Sequence, residues 1–270
     1  MKTRIISAAV AIVLLLGVLY LHDTVIFNIA FALIGALMVY EVFRAVKCKN
    51  EYIFLAASII MAIIAPMSVL AEVSAVHCVL AVTIYISVSV GVSILRHEHI
   101  DFETCALLMF ETLLISSAMF SLCYIEHNTE DYGLVFVILT LCGAWFADTG
   151  AYFAGTFFGK HKLCPKISPK KTVEGLIGGF VANAVLFVIY IRVFMGFLNT
   201  SWYIIFAVLG IVCCILSVIG DLQASVIKRK YDIKDYGKIM PGHGGAMDRF
   251  DSVLFVAPFM ATVLSLLFKV

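Results

Sequence analysis

Residues Ser201 to Lys230 read SWYIIFAVLGIVCCILSVIGDLQASVIKRK: twenty residues without a charge, then Asp221, then three consecutive cations. About 20 predominantly apolar residues is the length an α-helix needs to cross the hydrocarbon core of a bilayer. The cations at its end mark the face on which it emerges. Working outward, about nine such segments are expected, at 5–21, 25–43, 52–71, 74–95, 104–125, 132–158, 173–197, 201–227 and 250–268. The chain is 63% hydrophobic and 14% charged, with a mean hydropathy of +1.05, far outside the range of soluble globular chains. The links are short and leave no room for a soluble domain. The reading is an all-α, polytopic integral membrane protein, one helical domain over 1–270. Residues 1–130 are mostly scaffold, and 144–252 carry the chemistry.

The N-terminal apolar run ends at Tyr20-Leu21-His22-Asp23 without a small-residue cleavage site, so it is expected to stay as a first helix. Seventeen of the nineteen lysines and arginines fall on one side of these spans, against Arg192 and Lys269 on the other. By the positive-inside rule the N-terminus and both basic loops, Gly159–Gly175 and Lys228–Asp251, face the cytoplasm. Eight cysteines with no C-x-x-C pair give neither a disulfide framework nor a zinc site. No internal repeat is evident, which weakens a transporter built on inverted halves. Glu111 lies mid-span; it reads either as a neutral, hydrogen-bonded fastener between helices or as a functional group.

From residue 144 the character changes. Asp148 shares a helical stripe with Ala151, Gly155 and Gly159, small residues that let another backbone approach closely, so Asp148 is expected to face the bundle interior. It is either a structural carboxylate paired with a lysine or a charge that holds a cation or substrate. Ser168-Pro169 reads as a helix start, with Ser168 as N-cap. Lys170 and Lys171 beside it oppose the helix dipole unless an anion binds there. A substrate phosphate accounts for them, and attraction to anionic headgroups is the alternative.

In the eighth span, offsets of four, seven and eight put Asp221, Ser225, Lys228 and Arg229 on one stripe. A carboxylate with cations two turns away suits a magnesium ion carrying phosphates, and an Asp–Lys or Asp–Arg pair is the structural alternative. Next come Lys234-Asp235-Tyr236-Gly237, Pro241-Gly242-His243-Gly244-Gly245 and Asp248-Arg249-Phe250-Asp251. Glycines flanking a histidine let backbone N–H groups close on an anion. The loop is not a Walker A motif. Asp248 and Asp251, three apart at the start of the last span, are expected on one face, where they could simply complement the helix dipole.

The stretch Ser225 to Asp251, SVIKRKYDIKDYGKIMPGHGGAMDRFD, resembles the signature of phosphatidate cytidylyltransferases, also called CDP-diacylglycerol synthases: S-x-x-K-R, K-D-x-G, then P-G-H-G-G-x-x-D-R-x-D. Upstream, Asp148 with Ala151-Tyr152, Gly155 and Gly159-Lys160, then Ser168 to Thr172 with Glu174-Gly175, then Gly220-Asp221, are similar as well. Met240, Ala246 and Val173 depart from the usual residues without removing a polar group. The resemblance covers roughly the C-terminal half.

It implies that CTP and phosphatidate give CDP-diacylglycerol and pyrophosphate, with one magnesium ion or two. On that basis Asp221 and Asp248 are expected to hold metal, with Asp148 or Asp251 as further ligands. Lys228, Arg229 and Arg249 neutralise the triphosphate or departing pyrophosphate. Ser168, Lys170, Lys171 and Thr172 grip a phosphate. Ser225, Lys234, Asp235, Gly244 and Gly245 complete the substrate site. His243 either donates a hydrogen bond to the leaving group or protonates it. The expected setting is a bacterial cytoplasmic membrane, with the site facing the cytoplasm, lipid as neighbour, no nucleic-acid partner and room for a homodimer. A CTP-dependent lipid kinase and a transporter of anionic lipid or nucleotide are the rival functions.

Overall fold

The structure is a computed structural model and describes residues 2–196, 199–242 and 244–268. It is an all-α polytopic membrane fold with one small hairpin. The helices are α1 (Lys2–Tyr20), α2 (Val25–Ala45), α3 (Tyr52–Leu70), α4 (Ala75–Leu95), α5 (Phe102–Asn128), α6 (Gly133–Phe158), α7 (Val173–Phe194), α8 (Thr200–Lys230), α9 (Met247–Phe250) and α10 (Val253–Phe268). Among the described residues seven of them, α2 to α8, are long and apolar enough to cross a membrane. The apolar parts of α1 and α10 are shorter, at Ile6–Tyr20 and Val253–Phe268. Each expected apolar segment holds a helix, and among the described residues seven of these helices meet the length and apolarity of a crossing.

Contacts divide the chain into two compact units, one of residues 1–130 with 231–250, the other of 131–230 with 251–270. In the first unit α2 packs on α3 and α5. Its core holds Phe27, Phe31, Phe43, Phe54, Leu108 and Met119, all fully buried. Thr24 caps α2, its hydroxyl accepting from the Ile26 N–H at 3.3 Å. Asn28 donates to the Pro66 carbonyl at 2.9 Å, a buried polar tie to α3. Glu111 on α5 is 1% exposed.

The second unit is built on close helix contact. Lipid tails are as apolar as leucine, so membrane helices associate through packing and polar ties more than through burial. On α6 the stripe with Ala151 and Gly155 does face a neighbour, as its small residues require: a Cβ on Gly175 of α7 would lie 2.7 Å from the Ala151 carbonyl oxygen. A Cβ on Gly178 would collide with Ala154. Fully buried Asn183 on α7 donates to the carbonyls of Gly143 on α6, at 2.7 Å, and Gly210 on α8, at 3.3 Å. Ser217 of α8 donates to the Ala144 carbonyl at 2.9 Å, closing the three-helix group.

Two local expectations are corrected. Ser168 and Pro169 do not start α7. They lie in β2 (Ser168–Thr172), which pairs antiparallel with β1 (Lys162–Cys164). Pairing satisfies the backbone there, and the helix waits for a better cap. Thr172 has extended dihedrals, and its hydroxyl accepts from the Gly175 N–H at 3.1 Å, with Glu174 in the first turn. Asp248 and Asp251 do not share the first turn of the last span. Asp248 belongs to α9, Asp251 to the turn that follows, and α10 starts at Val253.

The packing predicts that Gly178→Ala lowers stability by about 1–3 kcal/mol through overpacking. Gly91→Ala in α4, where an added Cβ meets nothing within 4 Å, should cost nothing. Thermal unfolding of the two variants in detergent checks both, and a Gly178→Ala protein as stable as its parent would contradict the contact.

Candidate active site

At 31 residues, α8 is longer than a crossing requires. At about 1.5 Å per residue it extends roughly 46 Å, against about 30 Å of hydrocarbon. The surplus turns carry the stripe of Asp221, Ser225, Lys228 and Arg229. Beside them stands β2. Successive strand residues point to opposite faces, so the paired lysines are split: Lys170 is exposed, while Lys171 turns inward. The Lys171 ammonium lies 2.7 Å from an Asp221 carboxylate oxygen and 3.8 Å from one of Asp148. Arg229 donates from Nε to the Ile167 carbonyl at 3.5 Å, at the turn of the hairpin.

Asp251 is 6% exposed, in the turn ahead of α10 and outside the spanning helices. Its Oδ1 accepts from the Ser252 N–H at 2.8 Å and the Ser252 hydroxyl at 3.2 Å. That same hydroxyl lies 3.5 Å from Asp148 Oδ2. Burial, then the nearby Asp221 carboxylate, pushes the Asp251 carboxyl up to about 7, with Lys228 pulling the other way. Gly220 allows the close approach, because a Cβ there would strike the Asp251 carbonyl.

A cavity of about 450 Å³ is lined from α6 by Asp148 and Thr156 and from the hairpin by Lys162, Ser168, Lys170 and Lys171. Its lining is largely apolar but carries three lysines and the Asp148 carboxylate. Thr172 reaches the same cavity, but its hydroxyl serves as the α7 cap. In the first turn of α7, the Glu174 carboxylate accepts from the N–H groups of Lys160 at 3.0 Å and His161 at 3.2 Å, and meets the His161 ring at 2.6 Å.

The first unit holds residues 231–250 of the signature. Asp248 Oδ2 accepts from the backbone N–H groups of Tyr236 at 2.8 Å and Gly245 at 3.0 Å, drawing the loop around it. The Met240 N–H donates to the Gly244 carbonyl at 3.0 Å. Gly242 and Gly244 have φ of +83° and +90°, which L side chains rarely adopt. A cavity of about 560 Å³ is lined by Lys234, Asp235, Lys238, Gly244 and Arg249, three of them cations. His243, expected in this loop, lies outside the described residues.

Sequence reasoning missed Glu41 and Arg44 of α2. Fully buried Glu41 accepts from the Met247 N–H at 2.9 Å. Arg44 donates to the Tyr236 carbonyl at 2.7 Å. The single signal available was an unexplained carboxylate near the end of an apolar run.

Magnesium prefers carboxylate oxygens and water. Asp148, Asp221 and Asp251 supply hard oxygen donors, so the donor set fits the ion by type. Among the described residues, the metal-ligand atoms that all lie within 4.8 Å of one another belong instead to His22, Asp23 and Glu126. At the carboxylates of the second unit, Lys171 supplies part of the charge.

Comparison with known proteins places these features in context. A model of the cytidylyltransferase family matches residues 2–267. A phosphatidate cytidylyltransferase of Bacillus subtilis (strain 168) is 44% identical over 140 residues, 52% of this chain and 51% of that protein. That of Haemophilus influenzae is 40% identical over 161 residues, 57% of this chain and 55% of that protein. That of Staphylococcus aureus (strain COL) is 40% identical over 140 residues, 51% and 52% respectively. The chain spans about half the length of these curated relatives.

The split of the lysine pair gives a direct expectation. Lys171→Gln leaves two carboxylates without their cation and should lower stability by about 1–3 kcal/mol for a partly buried pair. Lys170→Gln, on the exposed face, should change it by less than about 0.5 kcal/mol. Thermal unfolding in detergent measures the difference; equal effects would contradict the strand geometry.

Proposed function

The chain belongs to the cytidylyltransferase family, and from that premise we propose that it transfers CMP from CTP to phosphatidate, giving CDP-diacylglycerol and pyrophosphate. The observation that carries the reading is the cavity of the second unit, where Ser168, Lys170 and Lys171 stand beside the carboxylates of Asp148 and Asp221. Phosphates need the cations, and a divalent metal needs the acids. The named relatives support the choice of lipid and nucleotide.

An ionised oxygen of the lipid phosphate attacks the α-phosphorus of CTP. The new P–O bond forms as the bond from the α-phosphorus to the bridging oxygen breaks, and pyrophosphate leaves with that electron pair. The nucleophile is already charged at pH 7, so no strong base is required. Bringing two anions together is the obstacle, and neutralisation and orientation overcome it. Lys170, Lys171 and Ser168 bind the lipid phosphate. Lys228, Arg229 and Arg249 neutralise the triphosphate and the departing pyrophosphate, with Ser225, Lys234, Asp235, Gly244 and Gly245 completing that surface. We assign magnesium, as one ion or two, to Asp221 and Asp248, with Asp148 and Asp251 as further ligands. When bound, it supplies positive charge to the phosphates of CTP. His243 donates to the leaving group. The charge asymmetry supports a site on the cytoplasmic face of a bacterial membrane, and the small-residue faces are compatible with a homodimer.

Incubating the purified protein with phosphatidate, magnesium and CTP labelled at either the α or the γ phosphate tests the reaction. The α label should enter lipid and the γ label pyrophosphate. A γ label in lipid makes the protein a kinase, and untouched CTP points to transport. Asp221→Asn and Asp248→Asn should each reduce turnover at least 100-fold in folded protein, about 3 kcal/mol of lost transition-state stabilisation. Near-normal rates in both would overturn the metal assignment.

A further inference from the structure

Glu41 and Arg44 lie three apart near the end of α2, hence on one face. Both reach the loop that carries Asp248. Arg44 holds the carbonyl of Tyr236, and Glu41 Oε2 accepts from the N–H of Met247, the residue before Asp248. The Glu41 carboxylate also fills the space beside two signature glycines. A Cβ on Gly237 or on Gly245 would collide with it. Those glycines are required less by backbone conformation than by this side chain: the loop's positive φ values fall at Gly242 and Gly244.

The partners overlap in a telling way. Tyr236 and Gly245 are the residues whose N–H groups bind Asp248 Oδ2. From α2, Arg44 takes the other side of Tyr236, and Glu41 packs on Gly245 and bonds the neighbour of Asp248. The loop is held between α2 and Asp248, with Asp248 as its far clamp. Glu41 is 1% exposed, and its Oε1 has no hydrogen-bond partner among the described residues. Such a carboxylate is costly in an apolar span, and ionisable groups there mark function by default.

We propose that Glu41 is a positioning residue for Asp248. It fixes the backbone from Tyr236 to Met247 so that the Asp248 carboxylate is presented to the magnesium-bound nucleotide. This role rests on the cytidylyltransfer reaction proposed above. Misplacing a reacting group by about 1 Å costs on the order of 100-fold in rate, so Glu41 acts on turnover without touching substrate.

The test compares wild type, Glu41→Ala, Glu41→Gln and Gly245→Ala in the full-length protein. It reads CMP transfer against magnesium concentration, amide exchange over 231–250, and thermal unfolding. Glu41→Ala should lower kcat at least 10-fold, raise the magnesium concentration for half-maximal rate several-fold and speed exchange across the loop. Glu41→Gln should stay within about threefold of wild type, because its amide oxygen still accepts from Met247. Gly245→Ala keeps Glu41 but displaces the loop, and should raise the magnesium requirement even if Glu41→Ala fails to fold. An unchanged magnesium requirement in Glu41→Ala and Gly245→Ala would overturn the proposal and leave Glu41 a fastener. So would a Glu41→Gln protein as impaired as Glu41→Ala. If wild type itself transfers no CMP, the reaction fails as a reading. Loop exchange then decides the positioning separately, and equal exchange in wild type and Glu41→Ala would sink it.

Discussion

The ammonium of Lys171, 2.7 Å from Asp221 and 3.8 Å from Asp148, is the interaction around which the second unit is arranged. It brings a strand, α6 and α8 to one point at the edge of an apolar structure. Carboxylates there must be compensated by cations or be neutralised. Reaching that point requires several features together. Gly175 and Gly178 let α7 lie against α6. Thr172 ends the strand and starts the helix within one residue. Gly220 admits the Asp251 turn against α8. Each is a small residue or a cap at a site of backbone contact, which explains why an otherwise apolar segment is so rich in glycine.

The first unit solves the same problem by other means. Asp248 is compensated by the backbone N–H groups of Tyr236 and Gly245, in a loop whose glycines permit conformations closed to other residues. Charge at both places is held by groups that the fold itself positions. A reaction between two phosphates calls for this kind of preorganisation more than for an acid or a base. The cations of the two cavities, from the hairpin in one unit and from Lys234, Lys238 and Arg249 in the other, match a chemistry in which every reactant and product is an anion.

Much of this was legible in the sequence because membrane spans and glycine-rich loops have strong local signatures. Apolar runs located the helices, the small-residue stripe of α6 found its partner face, and the Asp221 stripe lies on a single helix as spacing required. What escaped was decided by tertiary context. Ser168-Pro169 is a sound helix start in isolation, but five residues that pair with Lys162–Cys164 satisfy their backbone as strand, and Thr172 offers the better cap. Asp248 and Asp251 are close in sequence yet fall on either side of a helix break. Glu41 meets Met247 across 206 residues of chain, and nothing in the run around Glu41 announces it.

In the proposed reaction these residues only bind and orient, and the lipid phosphate itself is the nucleophile. Isotope exchange between labelled pyrophosphate and CTP, with magnesium and with or without phosphatidate, tests this most directly. Label should enter CTP only when phosphatidate is present, because the reverse reaction needs CDP-diacylglycerol. Exchange without lipid would mean that a protein side chain takes the nucleotide, and no exchange with lipid would mean that CMP transfer does not occur.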